Sequence, residues 1–193
     1  MPGAHEHAHE ATEHRENKRI ALLIAVLALV LAFAETGAKS TQTEALSANI
    51  ESANLWAFYQ AKTIRMTSVR TAAEAEKLSL ATIADPAART AAEAQIRNWE
   101  QTAARYDSEP QTQEGRKELA ARAQHAEEAR ELALARNHQF ELSGAALQIG
   151  IVLASASVIT GILMLAWLSG ALGLVGLAFA ALALFAPHAL HFG

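Results

Sequence analysis

Charge is missing from two long stretches of this 193-residue chain, and that constrains its fold more than any motif does. Residues 20–34 and 142–193 contain no Asp, Glu, Lys or Arg, whereas the stretch between them carries most of the charged residues. A helix needs about 20 apolar residues to cross the ~30 Å hydrocarbon layer of a bilayer. Composition segregated in this way predicts an integral membrane protein. The expected fold is all-α: three transmembrane helices, with a long, coiled-coil-like helical hairpin outside the membrane between the first and second spans.

The boundaries follow from local signals. Residues 1–17 form a polar His/Glu-rich tail that cannot bury a core and is expected to be disordered. The first span is read over 18–36. Its strictly apolar part, 20–34, is about 23 Å long at 1.5 Å per residue. Ala32-Phe33-Ala34 and the Lys18-Arg19 flank also fit a cleaved signal peptide, but the long acidic tail before them favours a retained anchor. The arm, 37–141, divides into helices over about 38–84, 86–106 and 111–141, punctuated by Asp85-Pro86 and by Asp107-Ser108-Glu109-Pro110. At 1.5 Å per residue these are about 70, 32 and 46 Å long, so the last two must both descend if the chain is to return to its second span. Spans two and three are read over 142–167 and 171–190, joined by a Leu168-Ser169-Gly170 turn.

Two apolar stripes run along the first arm helix. Leu46, Ile50, Ala53, Ala57 and Ile64 recur at helical spacing, and Leu55, Phe58/Tyr59, Val69 and Ala73 lie on another face. Two such faces predict a helix with more than one neighbour. The second arm helix carries Ala88, Ala92, Ile96, Trp99, Ala103 and Tyr106 on one side, and the third carries Leu119, Ala123, Ala126, Ala133 and Phe140. In the spans, Gly150, Ala154, Ser157 and Gly161, then Gly173, Gly176 and Ala180, set small residues in rows suited to close helix approach.

Several function classes are disfavoured. The net charge of -4, with no basic stripe, does not suggest a nucleic-acid partner. The absence of cysteine excludes thiol chemistry and disulfides. No Gly-rich phosphate loop or nucleophile elbow is present. The span interiors lack ionisable residues, which argues against transport by a charge relay. These absences predict a protein that is not an enzyme and has no cofactor. His5, His7 and His9, alternating with Glu6 and Glu10 and followed by His14, form one metal-like cluster that could bind zinc, nickel or copper weakly. A solvated tail without fixed geometry explains the same residues. Trp56, Tyr59, Gln60 and Lys62 stand out as a recognition patch or, more simply, as the packing centre of the hairpin, met by Trp99 or Tyr106 with Gln60 bonding across.

The segment Leu55-Trp56-Ala57-Phe58-Tyr59-Gln60-Ala61-Lys62, together with residues 147–155 of the second span, resembles an uncharacterised bacterial membrane-protein family known as a domain of unknown function. The likeness covers roughly residues 5–185. It extends to the His/Glu-rich start, one span, an arm with a Trp-x-x-Tyr-Gln-Ala-Lys core, and two closing spans. It implies a bacterial inner membrane and supplies no activity. The neutral Leu168-Ser169-Gly170 departs from the basic turn usual in that family. Arg15, Lys18 and Arg19 predict a cytoplasmic N-terminus and a periplasmic arm.

The function expected is that of a non-enzymatic membrane scaffold, embedded in the lipid bilayer, that associates with its own copies or joins a larger membrane complex. The alternatives are a passive pore or metal-handling protein using the His tail, and an accessory subunit of an energy-converting membrane enzyme.

Overall fold

The computed structural model describes residues 4–189, with side chains from Glu16 onward. The chain folds into four α-helices, α1 Ala4–Ser79, α2 Pro86–Asp107, α3 Arg116–Thr160 and α4 Leu163–Phe185, with a 3-10 turn Leu80–Thr82 after α1. There is no strand among the described residues. α1, α3 and α4 each contain a stretch long and apolar enough to cross a membrane.

α1 ends at Ser79 and not near 84, α3 starts at Arg116 and not near 111, and α4 ends at Phe185 and not at 190. There are three further differences from the expectation. The helix assignment of α1 reaches back to Ala4, so its boundary falls within the tail and not at 18. Nor does α1 break near Gly37. The Phe140 ring lies over Gly37, where an added Cβ would fall 2.7 Å from Cζ. Thr41, one turn on, donates back to the Gly37 carbonyl at 2.9 Å. A glycine packed so closely stays in the helix despite its backbone freedom.

The third difference is the turn between the last two helices. It falls at Gly161–Ile162 and not at Leu168-Ser169-Gly170, which lie inside α4. Gly161 adopts φ +69°, a left-handed geometry that suits glycine at a helix end. Around it, the Gly161 N–H bonds the Ser157 carbonyl at 2.9 Å. The Ser157 hydroxyl donates to the Ile162 carbonyl at 2.9 Å. Gly161, expected as a span-packing residue, is therefore the exposed pivot of the turn.

The chain divides into two compact units, one holding the residues up to Ala45 and from Glu131 on, the other Leu46–Arg130. In the first, α1, α3 and α4 close around Leu27, Ala34, Phe140, Leu147 and Ala183. Small residues set the spacing: a Cβ on Gly173 would lie 2.5 Å from Leu27 Cδ2, one on Gly176 2.7 Å from Leu147 Cγ, and one on Gly150 3.3 Å from the Ser169 carbonyl. Ala154 and Ser157 are buried in the same seam. A cleft of about 260 Å³ lined by Arg19, Ile20, Leu23, Leu163 and Trp167 brings the start of α4 beside the start of the apolar stretch of α1.

In the second unit α2 runs back along α1, linked by Lys77–Glu100 at 2.5 Å near one end and by Lys62 over the Tyr106 ring at 5.5 Å near the other. α3 continues the return, from Arg116 against Tyr59 at 2.8 Å to Arg130 against Asn49 at 3.3 Å. Asp85 caps α2 by accepting from Ala87 and Ala88, with Pro86 in the first turn.

Candidate interaction site

The second unit is organised by one seam of α1. Ala48, Ser52, Leu55, Tyr59, Lys62 and Met66 follow at alternating steps of four and three, the period that keeps one helical face on a partner. All six are buried or half-buried. Leu55 joins Leu119, Ala123 and Ala126 of α3 in an apolar cluster, with Trp56 and Tyr59 packed against it. The alanines of α3 let the backbones approach, and the aromatic rings of α1 fill the space beside them.

Polar groups close around this cluster. Trp56 and Tyr59 meet edge to face, centroids 5.4 Å apart at 79°, a favoured aromatic arrangement. Trp56 Nε1 donates to Glu127 Oε1 at 2.8 Å, and Ser52 Oγ donates to the same oxygen at 3.3 Å. Arg116 Nη2 donates to the Tyr59 hydroxyl at 2.8 Å, while its Cζ lies 4.9 Å from that ring's centroid. Arg116 Nη1 reaches Asp107 at 3.3 Å and Lys117 reaches it at 2.9 Å. Lys62 pairs with Glu114 at 3.6 Å.

Two carboxylates hold the connection between α2 and α3. Glu118 accepts from the Ser108 hydroxyl at 2.6 Å and from the Glu109 N–H at 3.1 Å. The Ser108 bond first, then the Glu109 N–H and Lys117, keep its carboxyl below the ordinary value against partial desolvation. The hydrogen bond from Lys117, with the charges of Lys117, Arg116 and Arg70 behind it, lowers Asp107 in the same way, again against desolvation. Gln113 takes φ +59°, within a segment that turns the chain between Pro110 and Gly115.

The expected patch is thus partly assembled. Tyr59 and Lys62 lie on the α1 seam and Trp56 packs beside it, but their partners are Arg116, Glu114 and Glu127 of α3 and its approach. Of this patch, Tyr106 meets Lys62. Trp99 is half-buried on α2 without a ring contact to either aromatic among the described residues. Gln60 does not bond across; it is exposed and, among the described residues, forms no hydrogen bond. Glu127 and Arg116, the two groups that organise the network, carry no sequence signature that separates them from the other charged residues of the arm. The side chains of His5, His7, His9 and His14 lie outside the described residues. Among the described residues no cluster of three or more potential ligands could hold a metal ion.

Of the expected first stripe, Leu46 and Ile50 are 60% and 52% exposed, and Ile64 is 67% exposed; Ala53 and Ala57 are exposed as well. Leu55 and Ala73 of the second stripe are buried, while Phe58 is 57% exposed. A groove of about 460 Å³ flanks α1 between Ile50, Phe58 and Leu119, rimmed by Glu51, Glu114 and Arg122.

The fold is that of an all-helical protein with three helices long and apolar enough to cross a membrane, and a helical unit whose middle is knit by aromatic and ionic contacts. Residues 16–186 match the family of the domain of unknown function DUF4337, and the chain belongs to it. Neither the curated proteins nor the solved structures contain a match.

Proposed function

We propose that this is a multi-pass protein of a bacterial inner membrane that serves as a non-enzymatic scaffold, associating with its own copies or with a larger membrane complex. One observation carries the membrane reading. In the first unit Leu22, Leu29, Phe33, Val152 and Leu174 point outward and lie 60–70% exposed, although the interior is already filled by Leu27, Leu147 and Ala183. Large side chains turned away from a filled core need an apolar solvent. The bare apolar face of α1 supports the association reading. A filled bundle interior gives a pore within one copy no support. Arg15, Lys18 and Arg19 favour a cytoplasmic N-terminus, with Leu46–Arg130 in the periplasm.

Sedimentation of detergent-solubilised protein, with the bound detergent accounted for, tests the reading. The expected result is a mass of two or more chains. A single chain at every concentration, with nothing co-purifying from native membranes, would overturn the scaffold.

A further inference from the structure

α1 presents two faces at the same heptad period, on opposite sides of one helix, and only one is covered. The covered face is the seam through Leu55 and Tyr59. The bare face runs through Leu46, Ile50, Ala53, Ala57, Gln60 and Ile64, again at alternating steps of four and three. We propose that this bare face is a parallel, in-register coiled-coil interface with α1 of a second copy of the chain. The proposal deepens the scaffold reading and rests on it.

Three features select a second copy as the occupant. The first is residue type. In heptad terms Ile50, Ala57 and Ile64 fall at a, and Leu46, Ala53 and Gln60 at d. Ile50 and Ile64 at a and Leu46 at d match the residue types that favour two parallel strands, in which β-branched residues occupy a and leucine occupies d. The alanines at the middle let the two backbones approach closely.

The second is charge. The flanking positions are Asn49, Trp56 and Thr63 on one side and Ser47, Asn54 and Ala61 on the other, all uncharged. Parallel juxtaposition of the face with itself therefore opposes no like charges, and brings Asn49 near Asn54 and Thr63 near Ser68 of the other copy. The face itself offers a partner no charge; the nearest charges, Glu51, Glu114 and Arg122, rim the groove beside Ile50.

The third is Gln60, which is exposed and forms no hydrogen bond among the described residues. Its amide carries both donor and acceptor, so it is complementary to itself across a two-fold axis. A single polar residue in an otherwise apolar seam sets register, because any shift leaves it facing an apolar group. Two chains anchored in one bilayer through the same span also run α1 in the same direction, which fixes the parallel sense.

The chain has no cysteine, so single-cysteine variants report geometry cleanly. Ala57→Cys and Ala53→Cys in the full chain, in membranes under mild oxidation, are expected to form covalent dimers with themselves. Gln95→Cys, on the exposed side of α2, is the control expected to stay monomeric. A dimer that forms only when Ala53→Cys and Ala57→Cys are mixed means antiparallel pairing and overturns the proposal.

Ile50→Glu with Ile64→Glu, checked for unchanged helicity by circular dichroism, is expected to weaken dimerisation by about a hundredfold or more. If the parent chain is oligomeric but neither cysteine closes and the glutamates leave its mass unchanged, this interface is wrong while self-association stands. If the parent chain is a monomer throughout, both fall.

Discussion

At the scale of single residues, the consequence of each side chain depends on what it meets. Trp56 gives Glu127 its shorter hydrogen bond, 2.8 Å against 3.3 Å from Ser52. Trp56→Phe keeps an aromatic side chain but removes the N–H donor and one of the two fused rings, so it is expected to cost at least about 1–2 kcal/mol, read from thermal unfolding followed by circular dichroism. The glycines of the first unit make a sharper contrast. A Cβ on Gly176 meets the Leu147 branch carbon at 2.7 Å and the Ser143 carbonyl at 3.2 Å, whereas one on Gly170 has nothing within 4 Å. Gly176→Ala is expected to destabilise the bundle by about 1–3 kcal/mol. Gly170→Ala, inside α4, is expected to be neutral or to gain up to about 1 kcal/mol in helix propensity. Parallel denaturation of the two variants checks both.

At the scale of elements, the connections are where the chain commits to its path. Glu118 and Asp107 both titrate below the ordinary carboxylate range in the folded state. A lowered folded pKa means stability that is present above the unfolded value and lost as pH falls through the folded one. The α2–α3 connection is therefore expected to hold its full stability above about pH 5 and to weaken progressively below about pH 4. Amide hydrogen exchange of residues 108–119 against pH reads this, and Glu118→Gln is expected to flatten the profile.

The turn between α3 and α4 can be tested directly. In inside-out vesicles, where the cytoplasmic face is open to reagent, Gly161→Cys is expected to react with a membrane-impermeant maleimide. Ser169→Cys is expected to be protected, because Ser169 is fully buried inside α4. The reverse pattern would restore a turn at 168–170. That turn was hard to find from composition, since Leu168-Ser169-Gly170 and Thr160-Gly161-Ile162 both combine glycine with a hydroxyl residue. What separates them is a hydrogen-bond closure, Ser157 to Ile162, that only the folded backbone displays. The Asp85-Pro86 start of α2 was legible, because a carboxylate cap and a proline act within one turn and need no distant partner.

At the scale of the whole molecule, the exposed side chains determine behaviour. A chain that leaves Leu22, Phe33, Val152 and Phe185 outward is expected to remain with the membrane fraction through alkaline and high-salt washes and to be released by detergent. Release by washing alone would contradict the bilayer reading. An arginine at Val152, 65% exposed in the middle of α3's apolar stretch, is expected to cost about 2.5–3.5 kcal/mol of insertion, measurable as reduced membrane recovery.

The sequence by itself, through its two charge-free stretches and its helical period, determined that the chain is helical and that the second stretch is long enough for two spans, because apolar length and helical period are local properties. Helical spacing also marked Leu119, Ala123, Ala126, Ala133 and Phe140 as one face of α3, and all five are buried. Tertiary structure alone decided which of the two α1 faces is covered and which lies bare. Both faces have the same period, and the bare one, with Leu46, Ile50 and Ile64, is the more apolar, so apolarity along the helix ranks them the wrong way round. The choice falls to the side where Glu127 and Arg116 of α3 meet the polar ends of Trp56 and Tyr59, a match made between residues more than fifty positions apart.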